Sequence, residues 1–153
     1  MTSFPLKIVT PDGLIYDGPA EMVIVRTITG DYAFMAKHVN CVAPLGMGCA
    51  TVVIDGNKRH AACIGGMVSV VEGNVTLVPT TFEWADSIDV ARAEASQARA
   101  EEVLSKGAEE NADVNLQLAQ ARLHRALVRK SVASKGGSWV RGSNMTAADF
   151  QRD

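Results

Sequence analysis

The sequence has few aromatic residues, 5% of the chain, so a folded core has to come from aliphatic side chains. It has no marked excess of either charge, and a formal net of −2 gives no reason to expect nucleic acid as a partner. Long apolar runs are missing too. The opening MTSFPLKIVT has no basic region followed by a long apolar stretch, so neither an export signal nor direct membrane insertion is expected. Cysteine is limited to Cys41, Cys49 and Cys63, with no C-x-x-C pair and no histidine at ligand spacing. They read as reduced, small core residues of a cytosolic protein. The signatures G-x-x-x-x-G-K-[ST], G-x-S-x-G and H-E-x-x-H are all absent. His38, His60 and His124 are scattered, so metal ligation is not expected, and Asp12, Asp31 and Asp55 are each explained by a turn. Gly65-Gly66 precedes a strand-like run, so it lacks the helix dipole of a phosphate cradle and reads as a tight turn or close backbone approach. No reaction is suggested, and the chain is not expected to be an enzyme on its own.

What is present divides into two patterns. With 153 residues, 47% of them apolar and 21% charged, the chain suits one soluble domain, or a small domain with an appendage. From Leu6 to Val78, short β-branched runs alternate with turn residues: PDG at 11–13, TGD at 29–31, DGN at 55–57 and EGN at 72–74. Eight to ten short antiparallel strands are expected, as a small sandwich or flattened barrel, with connections too short for parallel crossovers. After TTFEWAD, residues 86–106 have no Gly or Pro and are rich in Ala, Glu and Arg, which predicts a helix capped by Asp86 with Asp89 three positions on. Gly107 and EENAD interrupt it, and a second helix runs from Ala112 to about Ser134. The fold class is therefore α+β: a β-sandwich over 1–85, an antiparallel two-helix hairpin over 86–134, and a flexible tail over 135–153 in which Trp139 and Phe150 can act as anchors.

The hairpin's contact face is expected to be Ala91, Ala95 and Ala98 against Leu118, Ala121 and Val128. A face so rich in alanine buries little apolar area and should be able to detach from whatever it packs on. Charge is uneven along the chain: residues 1–84 carry a net of −2, residues 85–111 a net of −4 and residues 112–153 a net of +4. Arg92 and Arg99 are seven apart on one helical face, and Arg122, Arg125 and Arg129 form a second stripe. If the hairpin turns near residues 109–110, the stripes face each other and favour a bound polyanion or an acidic partner. Alternatively Asp89, Glu94 and Glu101 pair with these arginines on a solvated face.

The order LKIVTPDGLIYDG, VRTITGDYAFMAKHVNCVAPLGMG, GGMVSVVEGNVTLVP, IDVARAEASQARAEEVL resembles the epsilon subunit of bacterial F-type ATP synthases over about residues 4–132. Ala33 and Asn40 depart from the family's Gly and Pro near His38. The resemblance implies a ten-stranded sandwich that docks on the gamma subunit and the c-subunit ring. It also implies a hairpin that switches between compact and extended forms, the latter opposing ATP hydrolysis through acidic segments of beta in the alpha/beta hexamer. The implied partner-binding residues are His38, Arg122, Arg125, Arg129 and Lys130. No cofactor is required, but in some relatives ATP is a regulatory ligand of I-D-x-x-R-A. Carried over, its site comprises Glu83, Ile88, Asp89, Arg92, Ala93, Arg99, Arg122, Arg125 and Arg129. The resemblance places the protein peripherally on the cytoplasmic face of the bacterial membrane. A stand-alone ATP-binding sensor is the competing reading.

Overall fold

The computed structural model describes residues 2–106 and 112–135. The break at Gly107 to Asn111 and the tail beyond Lys135, with Trp139 and Phe150, lie outside the described residues. Ten strands come first: β1 (Phe4–Thr10), β2 (Gly13–Ala20), β3 (Met22–Thr27), β4 (Gly30–Met35), β5 (Cys41–Pro44), β6 (Met47–Ile54), β7 (Asn57–Ile64), β8 (Met67–Val71), β9 (Asn74–Val78) and β10 (Thr81–Trp84). A 3-10 turn at Ala85–Ser87 leads into α1 (Val90–Ser105) and α2 (Ala112–Lys135).

The strands form two five-stranded sheets, ordered β2-β1-β9-β8-β5 and β10-β7-β6-β3-β4. The turns expected from Asp-Gly and Glu-Gly are there: Asp55 and Gly56 have φ of 50° and 76°, and Glu72 and Gly73 have φ of 48° and 78°. Two successive left-handed residues match the twist of a tight antiparallel hairpin. The all-antiparallel expectation fails at one place. β1 pairs with β9 in parallel, Leu6 opposite Val75 and Ile8 opposite Leu77. Because β2 to β8, among them four strands of the second sheet, come between these two strands in sequence, the short-connection argument does not apply to them.

Alternation on each sheet fills the space between them with Leu6, Ile8, Val23, Val25, Phe34, Val68, Val75 and Leu77, all essentially inaccessible. Phe34 is the largest side chain so enclosed, as expected of a core poor in aromatics. Gly66 closes one corner. Its φ is +90°, and a Cβ there would lie 2.0 Å from the carbonyl oxygen of Val78. The glycine pair is thus a close approach of backbones, as its sequence context suggested.

The outer face of the second sheet carries the hairpin. Ala62, Ala85 and Val132 form a small buried cluster there, flanked by Cys49, Ile88 and Val128. Two features of α1 differ from expectation. Asp89, not Asp86, is the N-cap: its side chain accepts a hydrogen bond from the Arg92 amide at 3.0 Å. Ile88 stays extended and joins the small cluster, so the helix begins only after it. The buried face of the hairpin is Ala93 and Ala100 with Ala119, Ala126 and Val132, while Ala91, Ala95, Ala98 and Leu118 are exposed. Alanine lies on every side of α1, so composition alone did not identify the buried stripe.

Candidate functional site

The candidate site lies between β10 and the two helices. Asp89 is held at the head of α1 by its own capping bond, which fixes its carboxylate beside the helix N-terminus. Arg92 and Ala93 follow on the first turn, and Arg99 lies two turns along. From β10, Glu83 reaches across to α2, where the Nε of Arg129 donates to its Oε2 at 3.0 Å. Both partners are largely shielded, with side-chain exposures of 26% for Arg129 and 35% for Glu83. Lys130, one residue on, donates to Gln97 of α1 at 2.9 Å and sets the register of the helices.

Two clefts meet along this line. The smaller, about 260 Å³, is lined by Glu83, Ser87, Asp89, Arg92, Ala93, Ser96, Arg99 and Arg129. The larger, about 760 Å³, runs between the helices and is lined by Ser96, Arg99, Ala100, Glu102, Val103, Leu118, Ala119, Arg122, Arg125 and Arg129. Ser96, Arg99 and Arg129 belong to both. The interhelical cleft falls in the range of about 300–1,000 Å³ usual for small-molecule sites.

The two arginine stripes do face each other, since Arg99 of α1 and Arg122, Arg125 and Arg129 of α2 line one cleft. The alternative is pairing of Asp89, Glu94 and Glu101 with these arginines, and among the described residues no ion pair joins any of those three carboxylates to them. Asp89 caps the helix, Glu101 accepts from Gln97 at 2.8 Å, and Glu102 accepts from Lys106 at 2.6 Å. The Lys106 ammonium holds the Glu102 carboxyl below its ordinary range, so Glu102 is ionised but already engaged. Arg125 turns its Nε back to the Ala121 carbonyl at 3.3 Å. Among the described residues, Arg129 alone of the five arginines of the hairpin makes an ion pair. The adjoining clefts, the smaller with Arg92 and Arg99 and the larger with Arg99, Arg122 and Arg125, none of them in an ion pair among the described residues, suit an anion with several oxygens.

Not every residue expected at the site is brought there. Ile88 lines neither cleft and packs instead beside Ala62, Ala85 and Val132. His38 belongs to the sandwich: its ring meets Phe34 edge-on at 4.9 Å, and its Nδ1 lies 2.8 Å from the Val39 carbonyl. Asn40, in the loop between β4 and β5, accepts from the Glu72 amide at 2.8 Å and ties that loop to the β8–β9 turn. Sequence reasoning missed Ser87, Ser96, Glu102 and Val103. Ser96 was findable, since it lies four residues after Arg92 and three before Arg99 and must share their face. No group of three or more His, Cys, Asp or Glu suited to a metal ion occurs among the described residues.

Residues 3–85 match the family model described as the ATP synthase delta/epsilon chain, beta-sandwich domain, and residues 86–134 match its long alpha-helix domain. The ATP synthase epsilon chain of Shouchella clausii is 35% identical over 138 residues, 90% of this chain and 100% of the relative. That of Bacillus velezensis is 39% identical over 133 residues, 87% of this chain and 98% of the relative. In fold, the chain superposes on a chain in the cryo-EM structure of Euglena gracilis mitochondrial ATP synthase with a TM-score of 0.68, at 21% identity, covering 83% and 80% of the two chains.

Proposed function

The chain belongs to the ATP synthase delta/epsilon family, and from that premise we propose that it is the non-catalytic epsilon subunit of the central stalk in a proton-translocating F-type ATP synthase. In this reading it couples proton flow to ATP synthesis and restrains ATP hydrolysis through its hairpin. The observation that carries the regulatory part is how lightly the hairpin is held. A three-residue apolar cluster and the Glu83–Arg129 pair fasten it to the sandwich, while most of its arginines lack a carboxylate partner. An extended hairpin exchanges Glu83 for carboxylates on a partner, and the basic stripe of Arg122, Arg125, Arg129 and Lys130 fits acidic segments of beta. The sandwich, including the edge near His38, docks on gamma and the c-ring. No helix among the described residues is long and apolar enough to cross a membrane. In this proposal the chain attaches peripherally on the cytoplasmic face.

The compact hairpin also senses ATP in this proposal. The arginines of the interhelical cleft take the phosphates, and Asp89 accepts from the adenine amino group or steadies Arg92. Two measurements separate the roles. Hydrolysis by the reconstituted complex should rise, with coupling kept, when the chain ends at Asp86; unchanged hydrolysis refutes the brake. Calorimetry with ATP on the isolated chain should give binding that Arg99→Ala and Arg122→Ala each weaken by roughly tenfold, the scale of one lost charge-assisted contact. No heat at millimolar ATP removes the sensing role and leaves the stalk role standing.

A further inference from the structure

The two clefts beside the hairpin differ in what they can read. The smaller holds the carboxylates Glu83 and Asp89, which can accept hydrogen bonds from a base or a sugar, and the larger holds neither. The polar groups of the larger cleft are its four arginines, Ser96 and Glu102, and the rest of its lining is Ala100, Ala119, Val103 and Leu118. Glu102, the one carboxylate there, already accepts from Lys106 at 2.6 Å. Arg129 shares its charge with Glu83, and Arg125 uses only its Nε, on the Ala121 carbonyl. Among the described residues, Arg99 and Arg122 join no ion pair. The larger cleft is therefore well supplied with groups that hold phosphate oxygens and nearly empty of groups that would read a base.

Its arginines are also spread out. Arg122, Arg125 and Arg129 follow one another at spacings of three and four, so they share one face of α2 and span about 10 Å at about 1.5 Å per residue. Arg99 meets them from α1. A lone phosphate ion reaches only part of such a row. An unbranched chain of phosphates runs along it, and each guanidinium can hold two of the chain's oxygens in its fork, with the Ser96 hydroxyl donating where the two clefts join.

We propose that the interhelical cleft binds linear inorganic polyphosphate, of three phosphates or more, with no base required. This binding stands on the lining of the cleft alone, whereas competition with ATP rests on the nucleotide site proposed above. Because Arg99 belongs to α1 and the other arginines to α2, the bound chain bridges the helices. A ligand that needs both helices in place favours the closed hairpin over any form in which they part.

The test is calorimetry on the full-length chain with orthophosphate, pyrophosphate, tripolyphosphate and ATP at one fixed ionic strength. Affinity should rise along the three inorganic anions, and tripolyphosphate should displace ATP. Arg99→Ala and Arg122→Ala should each weaken tripolyphosphate by roughly tenfold, and Arg122→Lys, which keeps the charge without the fork, should weaken it less. Lys7→Ala, on the first sheet and away from the hairpin, should leave the affinity unchanged. No heat with millimolar tripolyphosphate while ATP binds overturns the proposal and leaves the nucleotide reading standing. Tripolyphosphate binding without ATP binding supports the proposal and removes the nucleotide reading. A loss on Lys7→Ala equal to that on Arg122→Ala shows general charge attraction in place of a site, and overturns the proposal.

Discussion

Replacing Val132 with alanine perturbs the hairpin's attachment without touching any charge. Val132 is 1% exposed and sits with Ala62 and Ala85 at the centre of the only apolar cluster that α2 makes with the sandwich among the described residues. Alanine removes two methyl groups, worth about 1.6 kcal/mol at about 0.8 kcal/mol each. The cavity term brings the loss to about 2 kcal/mol, because the neighbouring alanines are too short to fill the space. The Glu83–Arg129 pair, partly open to solvent, contributes about 1 kcal/mol or less. Val132→Ala should therefore open the hairpin about thirtyfold more often, and Glu83→Gln about fivefold at most. Hydrogen exchange resolved by peptide reads both. Amides of α2 that face the sheet should speed up by those factors, while amides of β1 and β9 keep their rates. If β1 and β9 speed up together with α2, the two parts unfold as one unit and the detachable hairpin is wrong. If Glu83→Gln exceeds Val132→Ala, the attachment is electrostatic and the apolar reckoning fails.

Gly66→Ala should lower sandwich stability by about 3 kcal/mol or prevent folding, because a left-handed φ and a 2.0 Å contact with the Val78 carbonyl oxygen must both be relieved; thermal unfolding reads it. Asp89→Ala should fray the start of α1 at a cost of about 1 kcal/mol, whereas Asp89→Asn keeps a capping acceptor and loses only the charge. Circular dichroism that falls equally for both would show that capping is not what Asp89 does for the helix. Burial, then the nearby Cys49, pushes the Cys63 thiol from 9.0 up to about 12. The folded state keeps a proton that the unfolded chain gives up, so this contribution is complete below pH 9.0 and is lost as pH rises toward about 12. Cys63→Ala should flatten the fall in melting temperature between those values, and an unchanged slope would refute the assignment.

Local chemistry was legible wherever it was self-contained. The left-handed pairs Asp55-Gly56 and Glu72-Gly73 follow from residue type alone, and the tight approach at Gly66 followed from a doubled glycine before a strand. What depended on distant pairing was not. β1 and β9 pair in parallel although seven strands separate them in sequence, and neither strand carries a mark of its partner. The start of α1 was ambiguous because Asp86 and Asp89 are equally good caps. The choice was made by Ile88, which packs partly buried against Ala62, Ala85 and Val132 and stays extended between the two aspartates.

The same reasoning explains why the arginine stripe was legible and the alanine stripe was not. Arginines are few on each helix, and a spacing of seven leaves one face for Arg92 and Arg99. Alanines at 91, 93, 95, 98 and 100 leave several faces open. With Ala93 and Ala100 buried, Ser96 and Arg99 lie along the clefts that Arg122, Arg125 and Arg129 also line. Burying the face predicted from composition would have turned the guanidinium groups away from that cleft. An interface of two alanines per helix is weak, and its weakness is tied to the arrangement of the site. Larger apolar residues at 93, 100, 119 and 126 would hold the helices more firmly but would also push them apart and widen the cleft in which the arginines meet.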